Sequence, residues 1–380
     1  MRYCGWIVPG GLFGLAAGAA VHQIAFAVHT GAYGPRNEVR VARPTFRWEV
    51  WSNDPAAAVR GAEFTLDGQT FTGTYDHALR CVTFRPEHPL STGPHHVICR
   101  VSFNNDNHYD RTWDVKVSTS PMQTLPPPDA GQLEALAAVN EIRRRYELPP
   151  ARLDDALDFA ALSHSKYLAL NQTTGHAEES GKQGFSGASG RDRVSALGWP
   201  GGSWEDVSYG AKSPHESVAD LFDAPYHRVP FLQVGTPVIG VGFSDDRFTI
   251  EFGQTSETGT AVSPPDGATG VPCAWHNFER PSPVRMHADA SKVTGYPIVI
   301  AHFAPGLPHL TKMFGWLTGP DTVDIPCWIN TPLNDDSLTC AAILIPKEPL
   351  RPNTRYRVGF DGRDATGATV RRETSFTTGA

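Results

Sequence analysis

Hydrophobic and polar residues alternate with period two from about Val39 to Val117. Phe46, Trp48 and Val50 share one side of this pattern, and Phe64 and Leu66 run into Asp67-Gly68, a dipeptide suited to a two-residue hairpin turn. Alternation puts one face of each strand in a core and the other in water, so the segment predicts a β-sandwich. Pro126, Pro127 and Pro128 follow, and proline has no N–H to give a sheet ladder, which ends the sandwich there. The period then becomes helical. Leu133, Leu136, Val139 and Ile142 mark a helix stopped by Pro149-Pro150, and Leu153, Leu157, Ala160, His164 and Tyr167 mark a second, out to Asn171. A third has an explicit start: Ser213 can cap, Pro214 suits the first helical position, and Glu216 completes Ser-x-x-Glu, a better account of Glu216 than acid catalysis. Val218, Leu221 and Phe222 supply its apolar face. Ile239, Val241 and Phe243, then Phe248, Ile250 and Phe252, flank Asp245-Asp246 as a hairpin. Beyond about Thr255 a Pro/Gly-rich β pattern returns, with strands expected at 298–303, 341–345 and 356–360.

One stretch repeats. Phe84-Arg85-Pro86-Glu87-His88-Pro89-Leu90 is matched by Leu344-Ile345-Pro346-Lys347-Glu348-Pro349-Leu350, each leading through a turn into an alternating strand. The shared Pro-x-x-Pro-Leu spacing suggests that both outer modules follow one immunoglobulin-like design. The expectation is a multidomain chain of 380 residues: an apolar segment at 1–30, an all-β Ig-like sandwich at 31–126, a central α+β domain at 127–256, and a second all-β Ig-like sandwich at 257–380.

Composition narrows the setting. A formal net charge of -7 and the lack of any dense Lys/Arg run disfavour a nucleic-acid partner. Arg2 is followed by a Gly/Ala-rich apolar stretch with no further charge until Arg36, and both Ala17-Gly18-Ala19 and Ala25-Phe26-Ala27 fit a signal-peptidase site. This predicts a secreted or cell-envelope protein that touches a membrane only if the segment stays uncleaved. The six cysteines lack the close spacing of a zinc-cysteine site; Cys81 and Cys99 could pair in an oxidising compartment or stay as buried thiols.

Between residues 139 and 253 the motifs become specific. Val139-Asn140-Glu141-Ile142-Arg143 and Leu153-Asp154 through His164 are followed in order by Gly175-His176, Phe185-Ser186-Gly187, Asp192-Arg193 and Trp204-Glu205-Asp206-Val207. Ala224-Pro225-Tyr226-His227-Arg228, Ile239-Gly240-Val241-Gly242 and Phe252-Gly253 complete the series. This order resembles the bacterial SCP-like domains of the CAP superfamily (cysteine-rich secretory protein, antigen 5, pathogenesis-related 1). The resemblance implies an α-β-α sandwich with a cleft lined by two histidines and two acids. His176, Glu205 and His227 match three of the four, Asp206 replaces the usual Asn, and Asp223 stands near the fourth position.

Two imidazoles and a carboxylate could hold zinc through His176 and His227 with Glu205, leaving a position for water. They could equally form a hydrogen-bonded network without metal. A Ser-His arrangement would need Ser208 or Ser186 beside a histidine, yet no Gly-x-Ser-x-Gly elbow is present. Trp199, Trp204, Tyr209 and Tyr226 cluster near these motifs and could line a groove for an extracellular lipid, glycan or peptide. The favoured expectation is a non-enzymatic binding module. The alternatives are a metal-assisted or Ser/His hydrolase of a cell-wall or extracellular polymer, and a binder of lipid or another apolar ligand.

Overall fold

A computed structural model describes residues 28–304 and 310–380. The expected signal segment lies almost wholly outside these residues, although a strand already begins at Val28.

The N-terminal module has eight strands: β1 (Val28–Gly34), β2 (Glu38–Val41), β3 (Phe46–Ser52), β4 (Val59–Leu66), β5 (Gln69–Asp76), β6 (Cys81–Phe84), β7 (Gly93–Phe103) and β8 (His108–Met122). They pair in the order β1-β3-β6-β5-β4-β7-β8-β2. The alternation read from the sequence sets the inward face, with Phe46, Trp48, Val50, Phe64 and Leu66 all buried. Asp67 and Gly68 take positive φ (50° and 83°), as the tight β4–β5 turn requires. Cys81 and Cys99 are buried, unpaired thiols rather than a disulfide.

The central region contains α1 (Ala130–Arg145), β9 (Arg152–Leu153), α2 (Asp155–Leu170), α3 (Gly190–Ala196), β10 (Ser203–Tyr209), α4 (Pro214–Asp223), α5 (Arg228–Phe231), β11 (Val238–Ser244) and β12 (Arg247–Gly253). Its sheet runs β10-β12-β11-β9, with β10 on an edge. The helices start where side chains satisfy their free N–H groups: Asp129 accepts from Gln132 N at 2.9 Å, Asp154 from Ala156 N at 3.0 Å, and Ser213 from Glu216 N at 3.1 Å. Period two along β11 separates the layers. Ile239 and Val241 join Val139, Ile142, Val218 and Leu221 in one core, while Gly240 and Gly242 face α2. A Cβ on Gly240 would lie 1.9 Å from the backbone of Leu157, and one on Gly242 would lie 2.3 Å from that of Leu162, so only glycine admits α2 this close.

The C-terminal module comprises β13 (Gly259–Ser263), β14 (Ala268–Val271), β15 (Trp275–His276), β16 (Val293–Thr294), β17 (Ile298–Phe303), β18 (Leu310–Thr318), β19 (Cys327–Asn330), β20 (Ala341–Pro346), β21 (Arg355–Asp364) and β22 (Thr369–Thr378). Two four-stranded sheets, β13-β17-β20-β19 and β14-β22-β21-β18, enclose Ile298, Ile300, Leu344, Val358 and Phe360. The repeated Pro-x-x-Pro-Leu stretch has one topological job in both outer modules. It leads from β6 to β7 and from β20 to β21, each time between strands that are not paired to one another. The leucine N–H then bonds a carbonyl far away in sequence, Leu90 to Ala42 O at 2.8 Å and Leu350 to Cys273 O at 2.7 Å.

The three regions are tied together. Ala156, Leu157 and Ala160 of α2 extend the N-terminal core, and ion pairs join Arg47 to Asp154, Arg85 to Asp155 at 2.6 Å and Arg152 to Asp76 at 2.6 Å. Val229 and Leu232 pack with Val299, Ala301 and Phe303 of the C-terminal module, where Tyr146 Oη meets Ser263 Oγ at 2.7 Å. No described helix is long and apolar enough to cross a membrane.

Candidate functional site

The site grows from the edge strand β10. Its alternation turns Glu205 toward α2 and α3 and the next residue, Asp206, toward the opposite side. Glu205 is therefore on a strand. Its Oε1 receives His176 Nδ1 at 2.9 Å, and Oε2 receives Arg193 Nη2. The Arg193 guanidinium is fully buried and also donates to His176 O at 3.0 Å and Gly187 O at 3.1 Å. Tyr209 Oη accepts from Gly175 N at 2.6 Å, which fixes the loop that carries His176.

Behind this pair lies a second buried layer. His164 Nδ1 is 2.9 Å from Glu178 Oε1 and its Nε2 is 3.1 Å from Gly175 O. Glu178 also accepts from Ser186 N at 2.6 Å, Ser186 Oγ at 2.9 Å and Gly187 N at 3.2 Å. Glu251 on β12 is the cross-strand neighbour of Glu205 and is wholly buried. Burial and the adjacent Glu205 charge push the Glu251 carboxyl well above the usual range. Burial also opposes ionisation of Glu205, but the bond from His176 and the charge of Arg193 prevail and lower it to about 2. Of the two facing carboxyls, Glu251 holds the proton and Glu205 the charge.

On the other side of β10 stands His227, the last residue of the turn leading into α5. Its Nδ1 is 2.7 Å from Glu279 Oε1, and the same oxygen accepts from Tyr226 N at 2.8 Å and His227 N at 3.1 Å. Burial alone would lower the affinity of His227 for a proton, but Asp206 and Glu279 outweigh it and raise the pKa to about 9. Asp206 is buried, with Oδ2 lacking a hydrogen-bond partner among the described residues; desolvation raises it to about 7 against the pull of His227 and His176. His176 and His227 both line one cleft of about 570 Å³, together with Ser208, Tyr209 and Phe278.

Other expected members stand elsewhere. Asp223 does not join the cleft: it ends α4, and its carboxyl lies toward Tyr296 and Trp275 of the C-terminal module. The acid beside the second histidine is instead Glu279, from another module. The four aromatic residues do not form one groove, and only Tyr209 lines the cleft. Trp199 packs beneath Arg47 of the N-terminal module, Trp204 meets Phe303 edge-on, and Tyr226 Oη binds Asp335 Oδ2 at 2.5 Å. Each has been drawn into a contact with an outer module. Ser186 Oγ donates to Glu178, and Ser208 Oγ has no partner among the described residues, so neither is hydrogen-bonded to His176 or His227.

The donor set can be compared with zinc chemistry. Each imidazole has its Nδ1 committed to a carboxylate, leaving His176 Nε2 and His227 Nε2, short of the three protein donors an open zinc site uses. Among the described residues no group of three or more His, Cys, Asp or Glu side chains is placed to hold a metal ion. Sequence reading left Arg193, Glu178, Glu251 and Glu279 unassigned. Glu251 carried a signal, an acid inside the buried run Phe248-Ile250-Phe252; Glu279, in a Pro-rich loop, carried none.

The central region is thus an α+β layer structure, and the cleft opens beside its edge strand β10. Residues 136–252 match the family model of the cysteine-rich secretory protein family, CAP, so the chain carries a CAP domain there. Among solved structures, it is similar to an extracellular protein containing a SCP domain from Bacillus anthracis, at 14% identity over 56% of this chain and 86% of that one, with a TM-score of 0.29. A cysteine-rich secretory protein from Staphylococcus aureus matches at 11% identity over 56% of this chain and 78% of that one, TM-score 0.21. The copper resistance protein PcoC from Escherichia coli matches at 18% identity over 31% of this chain and 94% of that one, TM-score 0.20. No curated protein matches the chain.

Proposed function

We propose that this is an exported, non-enzymatic binding protein whose CAP-domain cleft takes a glycan or peptide segment of an extracellular polymer, presented between Ig-like spacer modules. The observation that carries the reading is the fixing of both imidazoles through Nδ1, at 2.9 Å for His176 and 2.7 Å for His227. Held so, each offers one Nε2 to a ligand, and among the described residues no serine is bonded to either for nucleophilic attack. A cleft of about 570 Å³ suits a short polymer segment. Tyr209 (39% exposed) and Phe278 (53% exposed) give it aromatic surface for sugar rings or side chains.

Insoluble peptidoglycan, which displays both glycan and peptide, tests this by co-sedimentation with the purified protein. Saturable binding is expected, weakened about tenfold or more when His176→Ala and His227→Ala are combined, as the loss of one or two charged hydrogen bonds implies. No soluble fragments should appear, with or without added zinc. Fragment release that disappears in His176→Ala would replace the binding reading with a hydrolase.

A further inference from the structure

We infer that Glu279 of the C-terminal module is a positioning residue for the cleft: it holds His227 through Nδ1 so that Nε2 faces the ligand space. The three hydrogen bonds to its carboxylate all land on Oε1 and all come from the CAP side, two from His227 and one from Tyr226. The side chain is fully buried, and Oε2 has no hydrogen-bond partner among the described residues. A buried carboxylate without a partner cation costs several kcal/mol, so its placement makes sense only with the imidazole that faces it. A carboxylate can only accept here, which puts the proton on Nδ1 and settles which nitrogen a ligand meets.

The modules cannot readily part at this point. Arg285 Nη2 binds Asp335 Oδ1 at 2.7 Å and its Nη1 binds Tyr226 Oη at 2.6 Å. The buried Arg228 guanidinium reaches Pro297 O and Tyr296 Oη, each at 2.9 Å. Residues 226–228 are thus clamped on the C-terminal module, and Glu279 emerges inside the clamp. Phe278, Glu279 and Arg280 all line the cleft, which makes the cleft a product of two modules.

The inference rests on reading the cleft as a binding site, but it can fail separately, because its test reads the imidazole without a ligand. In the full chain labelled with ¹⁵N-histidine, His227 is assigned by its loss in His227→Asn. It should show a downfield, slowly exchanging Nδ1–H proton. Glu279→Ala should abolish that resonance while those of His164 and His176, also held by carboxylates, persist; Glu279→Gln, whose amide oxygen can accept, should keep the resonance but shift it upfield. A His227 Nδ1–H unchanged in Glu279→Ala would overturn the inference, as would a wild-type His227 protonated on Nε2 alone. If Glu279→Ala does not fold, Glu279→Gln decides: an unshifted Nδ1–H means that the carboxylate does not hold the ring.

Discussion

Replacing Arg193 with methionine removes the guanidinium that faces Glu178, Glu205 and Glu251. Three hydrogen bonds go, to Gly187 O, His176 O and Glu205 Oε2, and Glu178 Oε1 loses a cation 3.6 Å away. Breaking a buried pair from one side typically costs about 3–5 kcal/mol, because the remaining charge stays desolvated. Glu205 has an escape, since it can take up a proton as Glu251 already does. Its pKa, held at about 2 against burial by His176 and Arg193, should then rise. The loss should accordingly be about 4 kcal/mol at pH 8 and visibly smaller at pH 5, where protonating Glu205 costs less. Native-state hydrogen exchange suits a chain of several modules, because it reports local opening of α3 and β10 without assuming one global transition. Arg193→Lys, which keeps a charge but not the planar fork, should lose less than the methionine variant. Equal losses at the two pH values, or a loss below about 1 kcal/mol at pH 8, would refute the assignment of Arg193 as counter-ion to these carboxyls.

Two further outcomes are expected. Ser213→Ala should destabilise the α4 region by about 1 kcal/mol, since Ser213 Oγ accepts from Glu216 N at 3.1 Å; unchanged exchange protection in the first turn of α4 would count against the cap. Stability should peak near about pH 4 to 4.5 and decline from there toward pH 9 in chemical denaturation. Glu49, Asp158 and Asp206 are each raised to about 7 by burial, so their contributions are complete below the unfolded value near 4 and are lost as pH rises through 7. His227, raised to about 9, loses its contribution between 6.5 and 9, whereas Glu205 at about 2 loses its own only as pH falls below 4.5. A stability that climbs from pH 6 to pH 8.5 would contradict this balance.

Local signals in the sequence proved the most legible. The three helices carrying apolar repeats lie at Ala130–Arg145, Asp155–Leu170 and Pro214–Asp223, and the Ser213 cap sits where Ser-x-x-Glu placed it. The edge strand β10 was missed because its alternation, Trp204 to Tyr209, is broken by the polar pair Glu205-Asp206, the very residues that face the two histidines. Helix α3 was missed because seven residues give too little periodicity to see. The aromatic groove failed for another reason. Residues adjacent in sequence to the cleft motifs were free, in a reading of one domain, to face it; Trp199, Trp204 and Tyr226 are instead spent on contacts with the outer modules.

That failure and the fate of Asp223 have a common cause. The motif series treats residues 136–252 as self-contained, whereas the C-terminal module occupies the flank where α4 ends and draws Asp223 toward Tyr296 and Trp275. With that acid withdrawn, His227 faces Asp206 and Glu279. Both are buried and acidic, and each keeps one oxygen without a hydrogen-bond partner among the described residues. Two acids around one imidazole favour its charged form, and a charged imidazole donates hydrogen bonds but cannot ligate a metal. Asp206 strengthens this, because an amide in its place would leave His227 with one of these two acids instead of both. The side of the cleft around His227 therefore favours hydrogen-bond donation, and Glu279 of the C-terminal module holds the ring that donates.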